Sequence, residues 1–118
     1  DPNVTDINRA VDTRAAVALL TRNIQIVSAG EKSMDTLTGY FGGHTIIRQG
    51  FEKYQVQGVE FYQLGQGGQI GRYPVHFHMD RRTPQATDPA QGPLNYLKDC
   101  SIHDSMTRWV TIHAMQDM

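Results

Sequence analysis

Two stretches of the chain repeat one another. Arg72-Tyr73-Pro74-Val75-His76-Phe77-His78-Met79 is echoed, 36 residues further on, by Arg108-Trp109-Val110-Thr111-Ile112-His113. Successive side chains of an extended chain point to opposite sides, so Val75 and Phe77 share one face of such a segment while His76 and His78 share the other. With Pro74 counted as one extra residue, Val75 falls on Val110, Phe77 on Ile112 and His78 on His113, and Arg72 and Tyr73 fall on Arg108 and Trp109. The segments upstream match as well: Gly58-Val59-Glu60-Phe61-Tyr62-Gln63 has the in-and-out order of Asp99-Cys100-Ser101-Ile102-His103-Asp104. Each repeat unit is therefore a pair of short strands.

A unit of two or three short strands punctuated by Gly and Asn cannot bury its inward residues alone, and does so by stacking on the next unit. The expected fold is all-β, a parallel β-solenoid. Stacked strands lie about 4.8 Å apart, which would make His78 and His113 vertical neighbours on an outer face.

The 118 residues suit a single domain over 1–118, with 1–16 as an N-terminal segment and 80–93 as a Pro-rich excursion, and a hydrophobic content of 39% suffices for one core. Eleven Lys plus Arg against twelve Asp plus Glu leave a net charge of −1 without a long run of either sign, so no nucleic-acid-binding face is expected. The longest apolar stretch, Ala15 to Leu20, is too short to span a bilayer and follows an acidic, polar start rather than the basic start of a signal peptide. The chain reads as soluble, a processed or excised piece with no membrane span of its own. The single cysteine, Cys100, excludes an internal disulfide, and its match to Val59 gives it a buried apolar role rather than that of a nucleophile.

Ile7, Val11, Ala15 and Leu19 recur every four residues, but Val17, Leu19, Ile24 and Ile26 suit strands, and strands are expected from Val17 onward with Asn23 turning a corner. Residues 28–43, with Gly30, Gly39, Gly42 and Gly43, read as a loop or corner. Strand pattern returns over His44 to Arg48 and Tyr54 to Gln63. Leu64-Gly65-Gln66-Gly67-Gly68-Gln69-Ile70-Gly71 is a corner needing positive φ, its glycine spacing being wrong for a dinucleotide fingerprint. Pro84, Pro89 and Pro93, with Arg81, Arg82 and Asp88, mark residues 80–93 as an exposed excursion, where ligand contacts tend to sit. Strand pattern resumes at Leu94 and runs through His113 without an evident cap, so further coils, another chain or self-association are expected to cover the ends.

The motifs now assembled, in their order, resemble a known family over about residues 17 to 114. They are Val17-Ala18-Leu19-Leu20-Thr21-Arg22-Asn23-Ile24, Phe41-Gly42-Gly43-His44, Val59-Glu60-Phe61, Leu64-Gly65-Gln66, Gly71 to His78, Cys100 to Ser105 and Thr107 to His113. They look like the parallel β-helix region shared by the cell-migration-inducing hyaluronan-binding protein, the transmembrane hyaluronidase and fibrocystin. The resemblance implies a right-handed parallel β-helix at a cell surface or outside the cell, in a family associated with hyaluronan binding and depolymerisation. It implies an anionic polysaccharide as partner and hyaluronidase-like hydrolase or lyase chemistry as the candidate activity. The glycine-rich domain that precedes the helix in that family and its C-terminal coils have no counterpart in these residues, and the excursion from Thr83 to Pro93 is longer than the family's usual connection.

The histidines admit three readings. His76, His78 and His113 on one outer face can ligate zinc or a similar divalent metal, and an open coordination position would make that site catalytic. Alternatively, His76 or His78 acts as general acid or base with Asp104 or Glu60 as partner, beside His103 at the next corner, to cleave a uronic-acid polysaccharide whose carboxylate Arg72 and Arg108 neutralise. A paired-carboxylate glycosidase needs two acids about 5–10 Å apart, which spacing alone cannot establish for Glu60, Asp80 and Asp104. The third reading is a histidine ladder that only stabilises a structural or adhesive solenoid. Arg72 and Arg108 each precede an aromatic residue on which a guanidinium can lie. Tyr62, Tyr73 and Trp109 offer faces on which sugars stack, although solenoid aromatics more often pack as ladders, and His44 reads as a corner residue.

Overall fold

The computed structural model describes residues 15–28 and 41–116. Among them are eight strands: β1 (Ile24–Val27), β2 (Thr45–Arg48), β3 (Tyr54–Gln57), β4 (Val59–Tyr62), β5 (Val75–Arg82), β6 (Asn95–Lys98), β7 (Ser101–His103) and β8 (Val110–Gln116). Every strand pairs in parallel with the strand three positions away in sequence, which yields sheets β1-β4-β7, β2-β5-β8 and β3-β6. The chain therefore passes through three sheets in turn and lays each new pass on the previous one, and no sheet closes on itself.

The register is the one in which the repeats match. Phe61 pairs with Ile102 and Tyr62 with His103, while Val75, Phe77 and His78 pair with Val110, Ile112 and His113. Gly58 and Asp99 hold the same corner one pass apart, both with positive φ (67° and 52°). Asp reaches that region more readily than most residues because its short polar side chain bonds locally.

Stacking explains who is buried. The middle pass has neighbours on both sides, so Val59, Phe61, Val75 and Phe77 form the core with Ile47 and Leu64. Their ladder partners on the outer passes have a neighbour on one side only. Val75 and Phe77 are 0% and 1% exposed, whereas Ile24 and Ile112 are 60% and 57% exposed. Tyr54 meets Phe77 edge to face at 4.9 Å, and its burial, with Cys100 beside it, pushes the phenol up to about 12. Cys100 packs against the core as a partly buried residue, consistent with an apolar role.

Two expectations are corrected in detail. Strand structure does not start at Val17 but at Ile24, because carbonyls that a ladder would use are otherwise engaged: those of Leu19 and Thr21 accept from the Arg22 guanidinium, and that of Leu20 accepts from Ser101 Oγ. The proline-rich stretch leaves the sheet later than Asp80, since β5 continues through Arg82 and the Thr83 N–H still donates to Gln116. A 3₁₀ turn at Pro89–Gln91, capped by the Asp88 carboxylate, shapes the excursion. The helical periodicity of residues 1–14 and most of the loop at 28–43 lie outside the described residues.

Candidate functional site

Sheet β2-β5-β8 carries a groove of about 610 Å³ on its outer face, lined by His44, Arg72, Tyr73, His76, His78, Arg108 and His113, with Ile46, Ile70 and Ile112 as apolar wall. Alternation along β5 puts His76 and His78 on this face while Val75 and Phe77 fill the core, and parallel stacking sets His113 beside His78. The His76 and His78 rings lie 4.8 Å apart between centroids, and those of His78 and His113 5.3 Å. One ring nitrogen from each of the three histidines lies within 4.8 Å of the other two.

Hydrogen bonds orient the rings. His76 Nδ1 lies 3.0 Å from the Gly71 carbonyl oxygen, which only accepts, so the proton sits on Nδ1 and the neutral ring keeps a lone pair on Nε2. His78 and His113 face one another Nδ1 to Nδ1 at 3.3 Å. Burial, then the neighbouring charges of His76, His113 and Arg48, hold His78 below the ordinary histidine value. His44 is lowered too, by burial first and then by Arg72 and His76. Arg72 donates to His44 Nε2 at 3.0 Å. Arg108 donates to the Tyr73 hydroxyl at 3.0 Å and lies 5.8 Å from that ring's centroid. At the foot of the groove the buried Thr111 Oγ1 has no partner among the described residues.

Glu60, His103 and Asp104 form a separate cluster on sheet β1-β4-β7. His103 lies between two carboxylates, with Nδ1 2.7 Å from Asp104 Oδ2 and Nε2 3.1 Å from Glu60 Oε1, and its ring rests on Tyr62 at 5.0 Å. The Asp104 bond, then that of Glu60, raises His103 above its ordinary value. Glu60 also accepts from Gln25 Nε2 at 2.8 Å and from the Arg22 N–H at 3.0 Å, and these donors, Gln25 first, hold its carboxyl low. A carboxylate with this many donors ties three passes of the chain together, and those donors favour its charged form.

The structure thus brings together His76, His78, His113, Arg72, Arg108 and Tyr73, as the spacing suggested, and leaves Glu60, His103 and Asp104 on another sheet. Asp104 and Glu60 are engaged with His103, not with His76 or His78, and Asp80 is buried with Oδ2 unpartnered among the described residues. Arg108 lies on Tyr73 of the previous pass rather than on adjacent Trp109, and Arg72 engages His44 rather than Tyr73. Tyr73 is buried beneath Arg108 and offers no free face. His44 was missed as a groove residue. No repeat partner marks it in the sequence, and only the corner that returns the chain to β2 puts it beside Arg72.

Parallel strands stacked pass on pass, with a histidine-lined groove on one outer face, are the architecture of a β-helix protein. The CEMIP beta-helix family matches residues 40–118, and the chain belongs to that family. It is 35% identical to the mouse cell migration-inducing and hyaluronan-binding protein over 88% of this chain and 8% of that protein. It is 36% identical to a zebrafish cell surface hyaluronidase over 95% of this chain and 8% of that one. The communication mutant protein F of Dictyostelium discoideum is 34% identical over 89% of this chain and 8% of its own length. The chain thus spans less than a tenth of each of these three relatives. No solved structure matches it significantly.

Proposed function

We propose that this chain is the polysaccharide-contacting part of a right-handed parallel β-helix acting outside the cell, and that its groove takes an anionic, uronic-acid-containing polymer such as hyaluronan. The handedness follows the sense in which nearly all parallel crossovers turn. One observation carries the ligand: the groove sets Arg72 and Arg108 beside three histidines, in a family whose members include proteins named for hyaluronan. Guanidinium groups pair bidentately with carboxylates, and here they stand next to rings able to take or give a proton to a sugar hydroxyl or glycosidic oxygen.

Binding of fluorescent hyaluronan tests this. The chain is expected to bind, and Arg72→Ala to weaken binding about ten-fold, the size of one lost charge-assisted contact. Where the polymer is also shortened, His78→Ala abolishes the shortening. Binding without shortening leaves a recognition module, and a chain that does neither leaves a structural or adhesive solenoid.

A second reading adds a metal to the same groove, and the observation favouring it is the convergence of three ring nitrogens within 4.8 Å. Three histidines with an open fourth position suit zinc or a similar borderline ion, and the Gly71 carbonyl that holds His76 Nδ1 is the kind of outer partner that orients such ligands. Such an ion would supply Lewis-acid polarisation. Plasma mass spectrometry is expected to find about one transition metal per chain, lost from His76→Ala/His78→Ala; no metal in either sample reduces the three histidines to a hydrogen-bonding ladder.

A further inference from the structure

Across the histidines from Arg72 and Arg108, the same sheet opens into a second hollow. β2 ends at Arg48, which pairs with His78 in the ladder. Arg48, Gln49, His78, Met79 and Arg81 line a recess of about 430 Å³. His78 stands in the wall of both hollows, so it is the partition between them.

An irregularity in β5 makes the recess. Its register with β8 slips between His78 and Arg81, where Met79 and Arg81 hold φ of 52° and 68°. On β8 the residue after His113 is distorted in the same way, Ala114 having φ of 50°. Left-handed backbone is unfavourable for a residue with a Cβ, and none of these three is a Gly, Asn or Asp that adopts it readily. The distortion recurs at the same ladder position on two passes, as a built feature does and a loose end does not. Bulges of this kind re-aim side chains and gather beside binding sites. Here the bulge seats Arg81 with Arg48 in one recess against His78.

Both guanidinium groups are open to a ligand among the described residues. Among the described residues no hydrogen bond or ion pair engages the guanidinium of Arg48 or Arg81, whereas Arg72 is bonded to His44 and Arg108 to Tyr73. Arg72 and Arg48 also hold opposite ends of β2. His44, which Arg72 touches, precedes Arg48 by four residues, about 13 Å of strand rise. One carboxylate cannot reach both ends, but an extended polymer with a carboxylate on every second sugar can.

Resting on the polysaccharide reading of the groove, we infer that Arg48 and Arg81 form a second anion subsite, so that a uronic-acid polymer lies across the histidines with one carboxylate at Arg72 and Arg108 and a later one at Arg48 and Arg81. Such a polymer is engaged in mid-chain rather than at its end.

Titration calorimetry of the full chain with a hyaluronan decasaccharide, at several salt concentrations, tests the second subsite. Arg48→Ala/Arg81→Ala is expected to lose about ten-fold or more in affinity and to show a flatter salt dependence, since exposed ionic contacts are screened. Lys53→Ala, an exposed cation outside both hollows, should bind as the unaltered chain does. Both altered arginines are exposed, and an unchanged thermal midpoint verifies that the variant is folded. If the unaltered chain binds and Arg72→Ala weakens it while the double variant binds normally, the second subsite is wrong and the groove reading stands. If the unaltered chain does not bind the decasaccharide at all, both fall.

Discussion

Histidines in this chain occupy two opposite electrostatic settings, and the difference is set by which neighbours each ring meets. His78 sits among His76, His113 and Arg48, where burial and positive neighbours favour the neutral ring. His103 is held by Asp104 and Glu60, which favour the charged ring, with Tyr62 against its face and with Arg22 and Gln25 anchoring the far side of Glu60. A histidine raised above its unfolded value contributes stability that is fully present below 6.5 and is lost as pH rises through the folded value. Glu60, lowered below 4.5, contributes stability that is present above that value and is lost as pH falls through its folded value. Denaturant titrations of His103→Gln should therefore show a gentler loss of stability on raising pH above 6.5 than the unaltered chain shows. An identical slope in the two proteins would mean that the imidazole is not bridging the carboxylates.

At the scale of elements, the corners decide whether the passes can stack. Gly42 donates to the Gly65 carbonyl at 2.9 Å, and Gly65 donates back to Gly43 at 2.6 Å. A Cβ on Gly42 would stand 2.5 Å from the Gln63 carbonyl oxygen and 2.6 Å from that of Gly65, and backbone atoms within a stacked corner cannot step aside. Gly43 has room: its nearest atoms would be Leu64 Cδ2 at 3.5 Å and Ser28 Oγ at 3.6 Å. Gly42→Ala is expected to cost about 1–3 kcal/mol, the range of overpacked sites, and Gly43→Ala little, measured as shifts in denaturant midpoint. Equal effects would show that the corner yields. The sequence marked residues 28–43 and Leu64 to Gly71 as glycine-rich corners, but two adjacent glycines look alike on paper. Only the approach of the next pass separates the one that must lack a side chain from the one that need not.

On the scale of the molecule, burial depends on position in the stack as well as on hydrophobicity. Ile47, Phe77 and Ile112 occupy one ladder column, yet they are 8%, 1% and 57% exposed: the strand paired on both sides is the most covered, and of the two edge strands only β8 leaves its isoleucine bare. The site is likewise a product of stacking. The groove takes His44 from the approach to β2, His76 and His78 from β5 and His113 from β8, so no single segment contains it.

Much of this was legible in the residues. Alternation with a period of two assigns each strand residue to one face, and in a stack of parallel strands the alignment of one repeat with the next is itself the pairing register. For that reason the contact of His78 with His113, the inward facing of Val75 and Phe77, and the positive-φ corners could be read before any coordinates. What lies across the corners could not. The parting of Glu60, His103 and Asp104 from the three histidines, the meeting of Arg72 with His44, the start of β1 at Ile24 and the gathering of Arg48 with Arg81 all depend on how each corner rotates one sheet against the next. Periodicity records which side of its own strand a residue faces, and only packing in three dimensions determines what that side looks onto.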